Sequence, residues 1–255
     1  IDVGTNGEIV LGNDDWMIAC ATSAGPAFEG SGVQCGMRAS RGAIERVSID
    51  VEGAIGVRTI GDEPARGICG SGLIDLAAEL FLSGMIDIRG KFLLPACGHR
   101  VTDHDGLTHL EVVSADEAAD GKSLTISQAD LDSLIRSKAA MYTILETITT
   151  TVGVSMKDLA AFYVAGTFGA FIQPASAIAI GMIPDLPLSL YHTLGNSCLS
   201  GATMALLSAG ITEEIDQIRD RITYLELNVN QDFMNRFSAA KFLPHTDPTR
   251  FPSVR

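Results

Sequence analysis

The chain has 255 residues, and 46% of them are hydrophobic, which is enough to fill the core of one large domain or two small ones. Its 18 Lys and Arg against 31 Asp and Glu give a net charge of −13, which argues against nucleic acid and anionic membranes as partners. The longest apolar stretch, 159–183, is interrupted by Gly166, Gly169 and Pro174, so it lacks the roughly 20 continuous apolar residues that span a bilayer.

Five cysteines stand at positions 20, 35, 69, 97 and 198 without a CxxC pair. This odd number and wide spacing argue against a disulfide framework and against a metal or iron-sulfur cage built by this segment alone. We expect mostly buried thiols in a protein of the reducing cytoplasm.

The first residues predict antiparallel strands. A strand ends near Val3, a tight turn covers Gly4 to Gly7, and a return strand runs from Glu8 to Leu11. A second turn over residues 12–15 leads into a third strand over 16–22, and further strands are predicted within residues 42–61.

The next segments predict helices. "GICGSGLIDLAAELFLSGMI" places a glycine loop before a helix that ends near Gly84, and residues 87–124 are more polar and predict a peripheral insertion with a hairpin. A long helix should begin near Ser127, which forms a capping-box pair with Asp130, and Gly153 should end it.

The last third alternates strands and glycine turns. "DLAAFYVAGTFGAFI" predicts a buried strand, a glycine turn and the start of a helix, and "GNSCLSGATMALLSAG" predicts another helix opened by glycine. A strand "ITYLEL", a helix around "QDFMNRFSAAKF" and an arm with prolines, "LPHTDPTRFPSV", complete the chain.

Glycine turns suggest a binding site. They lie at Gly4 to Gly7, Gly67 to Gly72 and Gly166 to Gly169, and each serves an ordinary hairpin as readily as a ligand. Backbone N–H groups in such turns can cradle phosphate oxygens. Asp2, just before the first turn, could hold Mg²⁺ through water. A phosphate-binding turn beside a carboxylate for Mg²⁺ predicts a nucleoside triphosphate as the ligand.

Several motifs resemble one family. "IDVGTNGEIVLG" resembles the second phosphate loop of the superfamily of acetate and sugar kinases, heat-shock chaperones and actin (ASKHA), and "FYVAGTFGAFIQP" resembles its adenosine loop. "CATSAGPAFEG", "GMRASRGAIERV", "GICGSGLIDL", "GNSCLSGA" and "FLPHTDPTRFPSV" resemble, in this order, the C-terminal portion of reductive activators of corrinoid proteins, which are iron-sulfur ATPases.

The resemblance implies an α/β fold: an actin-like, ribonuclease H-like half over residues 1–255, with a mixed sheet flanked by helices and the insertion at about 87–124. It also implies a ferredoxin domain, which holds the iron-sulfur cluster, and a first actin-like half upstream of residue 1. We therefore expect residues 1–255 alone to be inactive as an ATPase.

The resemblance also implies residue roles. Asp2 would orient Mg²⁺ or the attacking water, and the N–H groups of Gly4, Thr5, Asn6 and Gly7 would cradle the terminal phosphates of ATP. Gly166, Thr167, Phe168 and Gly169 would lie against the adenosine. The family commonly has a second glycine where Thr167 stands, so this side chain would narrow the pocket.

Other candidates keep two interpretations. Lys138 on the long helix either reaches the nucleotide or is a solvated lysine, and Glu29 either orients water or makes structural hydrogen bonds. The loop with Gly70, Ser71 and Gly72 either contacts a ligand at a helix start or allows tight strand–helix packing. His99, His104 and His109 recur every five residues, a spacing that suits a metal site poorly.

We predict an ATP-dependent activator that helps reduce cobalt(II) to cobalt(I) in a corrinoid protein or corrinoid methyltransferase. A separate electron donor is a further expected partner, and the assembly is left open, with a homodimer as one alternative. Two alternatives remain open: a docking module for the corrinoid protein with vestigial nucleotide loops, or a small-molecule kinase of the same superfamily.

Overall fold

The structure is a computed structural model that describes residues 1–4, 6–23, 32–104, 106–166, 169–226 and 231–254. The strands are β1 (Asp2–Val3), β2 (Asn6–Gly12), β3 (Met17–Ser23), β4 (Ala43–Ile49), β5 (Ile55–Thr59), β6 (Gly67–Ile68), β7 (Val101–His104), β8 (Leu107–Val113), β9 (Leu124–Ser127), β10 (Phe162–Ala165), β11 (Tyr191–Gly195) and β12 (Ile222–Tyr224). The helices are α1 (Gly70–Leu82), α2 (Leu94–Cys97), α3 (Gln128–Thr151), α4 (Pro174–Ala179), α5 (Ser197–Leu207), α6 (Ile211–Arg221) and α7 (Gln231–Ala240).

The largest sheet has the order β11-β10-β1-β2-β3-β12. Its middle strands β1, β2 and β3 are antiparallel, as the turns in the sequence predict, while β10 runs parallel to β1 and β11 parallel to β10. In β2 the side chains alternate, with Ile9 buried and Val10 exposed, because successive residues of a strand face opposite sides. The sheet is mixed, as expected for the predicted fold.

Two smaller sheets complete the strands. One has the order β5-β4-β6, and the other is the antiparallel sheet β7-β8-β9 within and after the segment 87–124. The predicted hairpin of this segment is therefore confirmed as β7 and β8. Leu110, Val112 and Val113 of β8 belong to the main hydrophobic core, so the inner face of the hairpin is attached to the rest of the molecule. The bounds of the insertion stay a prediction.

The long helix α3 lies in the core. Ser127 is its N-cap and forms the predicted capping box with Asp130, because each side chain accepts the other residue's backbone N–H. The helix ends at Thr151, and Gly153 follows with a positive φ of 70°, as expected for a residue that ends a helix. It packs against β2, β3 and α7.

Three details differ from the sequence prediction. The strand β10 is not buried throughout, because Tyr163 is 52% exposed on the face opposite Phe162. After the turn at Gly166 a short 3-10 turn covers Gly169–Phe171, and the helix α4 begins only at Pro174. Helix α6, between the glycine-opened helix α5 and the strand β12, is absent from the sequence prediction.

Among the described residues, the helices lack the combined length and hydropathy that a membrane span requires.

Candidate functional site

Three strand ends meet at one edge of the large sheet. Because β1, β10 and β11 are parallel neighbours, their carboxyl ends lie at the same edge. Asp2 is paired with Ala165, and Ala165 with Gly195. The backbone N–H of Gly166 donates to the carbonyl of Gly195 at 2.9 Å, so the turns after β10 and β11 are directly joined.

The carboxylate of Asp2 lies against the turn after β10. A Cβ on Gly166 would stand 2.5 Å from Asp2 Oδ1 and 2.8 Å from the carbonyl oxygen of Val3, and Gly166 has a φ of +91°. Only glycine combines this backbone conformation with this close approach. The structure therefore brings together two predicted site residues, Asp2 and Gly166, that are far apart in the sequence.

Gly169 completes the contact between the turn and the two strands. A Cβ on Gly169 would lie 2.9 Å from Val164 Cγ1 and 4.0 Å from the Cβ of Val3, and the residue is buried. The end of the turn thus packs onto β10 and β1. Thr167 and Phe168, which share the predicted adenosine role, lie outside the described residues, as do Thr5 and Glu29.

One backbone N–H group of the first turn is already hydrogen-bonded within the hairpin. The N–H of Gly4 donates to the carbonyl of Asn6 at 2.8 Å, and Gly7 is buried in β2 opposite Val3. Asn6 is exposed. A phosphate contact of the Gly4 N–H would compete with this hydrogen bond, and the cradle by Gly4, Asn6 and Gly7 stays a prediction.

The start of α5 is a further part of this edge. Asn196 is its N-cap and accepts the N–H of Leu199 at 2.9 Å, and Cys198 in the first turn has its Sγ 3.8 Å from Asp2 Oδ2. The free N–H groups of a helix start favour anions. Gly195, Asn196 and Cys198 are not among the predicted site residues, although "GNSCLSGA" already indicates a helix opened by glycine.

The loop with Gly70, Ser71 and Gly72 is buried at the start of α1. A Cβ on Gly72 would lie 2.2 Å from the carbonyl oxygen of Ile44 in β4, so this glycine allows the helix to approach the strand. Ser71 Oγ lies 3.3 Å from the Sγ of Cys69, the N-cap residue. These contacts favour the interpretation of tight packing over that of a ligand loop.

Lys138 is an interior residue. Its side chain is fully buried, and Nζ donates to the carbonyls of Phe242 at 2.5 Å and Pro244 at 2.8 Å. Burial lowers the pKa of this ammonium well below its ordinary value. The alternative of a solvated lysine is therefore wrong, and a nucleotide contact would require Nζ to leave both carbonyls.

Within the described ranges, the cysteines and histidines do not form a group that could hold a metal ion. All five cysteines are free thiols, with Cys198 exposed, and burial raises the pKa of Cys35 to about 12. The rings of His104 and His109 are 5.5 Å apart in the hairpin. Among the described residues, no group of three or more His, Cys, Asp or Glu side chains could hold a metal ion.

Comparisons with known proteins give one consistent result. A family model described as the C-terminal domain of RACo, the ASKHA domain, matches residues 1–255. The chain is 35% identical over 247 residues to the "Corrinoid activation enzyme RamQ" of Eubacterium limosum, covering 93% of this chain and 41% of that protein.

Two further matches agree with this family. The chain is 24% identical over 257 residues to the "[Co(II) methylated amine-specific corrinoid protein] reductase" of Methanosarcina barkeri, covering 92% of this chain and 44% of that protein. A solved structure of a "Reductive activator for corrinoid, iron-sulfur protein" superimposes with a TM-score of 0.94 at 44% identity, over 99% of this chain and 40% of that one. The chain thus spans about two fifths of the length of the relatives it matches.

Proposed function

Since the chain belongs to the family of C-terminal ASKHA domains of RACo, we propose that it forms one half of an ATP-binding clamp in a reductive activator of corrinoid proteins. The whole protein would use ATP binding and hydrolysis to assist the transfer of one electron to cobalt(II) of a corrinoid protein, which yields cobalt(I). The electron would come from an iron-sulfur cluster outside residues 1–255.

The names of the relatives support the substrate class. One is called a corrinoid activation enzyme and another a reductase of a Co(II) corrinoid protein. This supports a reductive activator over a small-molecule kinase of the same superfamily. A corrinoid protein is therefore the proposed partner, and the cobalt ion is part of the substrate.

The observation that carries the nucleotide proposal is the contact of Asp2 with Gly166. It joins the predicted phosphate turn and the predicted adenosine turn at one edge of the sheet. A nucleotide at this edge would have its phosphates near Asp2 and the start of α5, where backbone N–H groups favour anions. Its adenosine would lie towards the turn at Gly166 to Gly169.

The residues at this edge fit a hydrated Mg²⁺. Mg²⁺ prefers oxygen ligands, keeps several waters and is commonly bound by one or two carboxylates together with substrate phosphates. Asp2 is partly exposed and supplies one such carboxylate. When bound, the ion would neutralise charge on the phosphates, while Asp2 would hold its water shell or orient the attacking water.

Coupling to the corrinoid partner would depend on closure of the clamp. A ligand shifts an equilibrium between open and closed states only as far as its affinities for them differ. ATP bound at the strand ends would contact both halves and favour the closed state. Hydrolysis would remove that preference, and the corrinoid protein would bind the two states with different affinities.

The substitution Asp2→Asn in the full-length protein tests this proposal. It keeps the shape of the side chain but removes the charge, so we expect Mg²⁺–ATP to bind roughly tenfold more weakly or worse, as for the loss of a charge-assisted contact. Isothermal titration of ATP with Mg²⁺ measures this. Asp14→Asn, beyond the other end of β2, is the matched control and should bind ATP like the wild type.

Two outcomes would contradict the proposal. If wild-type protein binds a corrinoid protein but no ATP, the chain is a docking module with vestigial loops. If Asp2→Asn and Asp14→Asn bind Mg²⁺–ATP equally well, the carboxylate at the strand end has no part in nucleotide binding.

A further inference from the structure

A buried carboxylate lies outside the strand-end site. Asp75 of α1 is only 4% exposed, and its Oδ1 has no hydrogen-bond partner among the described residues. Burial raises the pKa of this carboxyl, whereas the hydroxyl of Ser176 and the guanidinium of Arg46 act in the opposite direction. A buried acid is costly unless a cation or donors compensate it, so its surroundings need a physical explanation.

The compensating cation is Arg46 of β4. Its Nη1 lies 3.6 Å from Asp75 Oδ2, and the two side chains are 22% and 6% exposed. The same Nη1 donates to the carbonyl of Phe171 at 3.0 Å, while a weaker bond to the carbonyl of Glu45 is 3.3 Å long. One guanidinium thus joins β4, α1 and the segment that follows β10.

Phe171 is the last residue of the short 3-10 turn after the glycine turn. The turn is tied back to Gly166, because the N–H of Ala170 donates to the Gly166 carbonyl at 3.2 Å. Gly169 within it packs onto Val164 and Val3. A contact that fixes the carbonyl of Phe171 therefore also restrains its neighbour Ala170, whose N–H holds the carbonyl of Gly166.

We propose that Arg46, held in place by Asp75, is a positioning residue that sets the glycine turn against Asp2 for nucleotide binding. This inference rests on the proposed nucleotide site, to which Arg46 is connected through the carbonyl of Phe171. A guanidinium suits the role because it is planar and carries several donors, whereas the ammonium of a lysine is a single point charge.

A matched residue lies directly opposite in the sheet. Arg58 of β5 is the register partner of Arg46 and pairs with Glu45 at 3.1 Å, but its side chain is 61% exposed. It has the same charge and a similar ion pair, and its Nε donates to Glu45 of the neighbouring strand rather than to the turn. Arg58→Gln is therefore the control for a general loss of positive charge or of an ion pair on this sheet.

The test compares Arg46→Met, Arg58→Gln and the double variant Arg46→Met with Asp75→Asn in the full-length protein. Arg46→Met removes the donor to Phe171, and we expect the Kd and KM for Mg²⁺–ATP to rise about tenfold with a smaller change in kcat. It also leaves Asp75 without its cation, so the single variant should unfold at lower urea concentration. Arg58→Gln should keep the wild-type Kd.

The double variant separates positioning from simple stability. Asp75→Asn removes the charge that needs a cation, so we expect the double variant to recover most of the resistance to urea but to keep the raised Kd. Recovery of both properties would overturn the inference, because the effect of Arg46 would then be one of stability alone. An unchanged Kd in Arg46→Met would overturn it as well.

The wild-type protein distinguishes this failure from that of the proposed function. If wild-type protein binds no Mg²⁺–ATP, the nucleotide site is wrong and the inference falls with it. If it binds Mg²⁺–ATP and Arg46→Met binds it equally well, the nucleotide site stands and only the role of Arg46 is wrong.

Discussion

The helices α1 and α5 begin alike in sequence but differ in their surroundings. Each follows a short strand and has glycine in its first half, at Gly70 and Gly72 in α1 and at Gly201 in α5. In α1 most residues are buried, including Leu76 and Leu80. In α5 none is buried by the described part of the chain, and Leu206 is 87% exposed.

The glycines explain this difference at the level of the backbone. A Cβ on Gly72 of α1 would meet the carbonyl of Ile44 at 2.2 Å, whereas a Cβ on Gly201 of α5 would meet nothing within 4 Å among the described residues. Gly72 thus allows α1 to approach β4, whereas Gly201 serves no such close contact among the described residues. In this protein, a glycine near the start of an apolar helix therefore coincides with burial only where another backbone approaches that glycine.

The largest expected difference in the free energy of unfolding is between Gly72→Ala in α1 and Gly201→Ala in α5. Gly72→Ala forces α1 and β4 apart, and we expect it to lower the free energy of unfolding by about 3 kcal/mol, the cost of severe overpacking. Gly201→Ala meets no neighbour and should raise it by about 0.5 kcal/mol, because alanine favours a helix. Urea unfolding measures both, and equal effects of the two variants would contradict the comparison.

A second prediction concerns Lys138 of α3, which is as fully buried as Leu76 and Leu80 of α1. Lys138→Met leaves the carbonyls of Phe242 and Pro244 without their donor, and we expect a loss of about 2 kcal/mol in the free energy of unfolding. Lys157→Met, at an exposed position, is the control and should leave stability nearly unchanged.

The same lysine predicts a pH dependence. Because the pKa of Lys138 is lowered in the folded protein, the unfolded chain binds more protons between that pKa and the ordinary value of 10.5. Stability from this group therefore rises with pH in that interval. The wild type should gain stability relative to Lys138→Met as the pH rises from neutral towards 10.5, and a constant difference would show that the pKa is not lowered.

The smallest predicted effects concern two arginines that form ion pairs, one half-buried and one exposed. Arg250 Nη1 donates to Glu146 of α3 at 2.7 Å at a half-buried position, and Arg250→Gln should cost about 1 kcal/mol. Arg219 of α6 bonds to Asp216 and Asp220 at the surface, and Arg219→Gln should have no measurable effect in the same unfolding experiment. A larger loss for Arg219→Gln would reverse the comparison.

Much of the fold follows from local signals. The hairpin of β1 and β2, the capping box of Ser127 and Asp130, and the end of α3 near Gly153 each depend on residues close in sequence, and each can be predicted. The hairpin turn is shorter than predicted, because β2 begins at Asn6 and Gly7 already pairs with Val3. Helix α6 lacks a capping side chain at its start, but the acidic Glu213 and Glu214 in its first turn and the basic Arg219 and Arg221 in its last turn are helix signals that could have predicted it.

The site can be predicted only as separate pieces. Asp2 and Gly166 each stand out as residues beside glycine turns, but their contact depends on the parallel pairing of β1 with β10, which no local pattern encodes. The partners of Lys138 are backbone carbonyls more than 100 residues away, so its burial is not predictable from its helix. Arg46 escapes prediction for the same reason.

The hydrogen bonds from Lys138 to the carbonyls of Phe242 and Pro244 have a consequence for synthesis on the ribosome. Domains generally fold as units as the chain emerges from its amino end. Residues of α3 leave the exit tunnel long before Phe242 and Pro244, whose carbonyls its ammonium needs. The nascent chain must therefore keep a hydrated ammonium at the future centre of its core until residues more than 100 positions later have been synthesised, so this part of the interior closes late in folding.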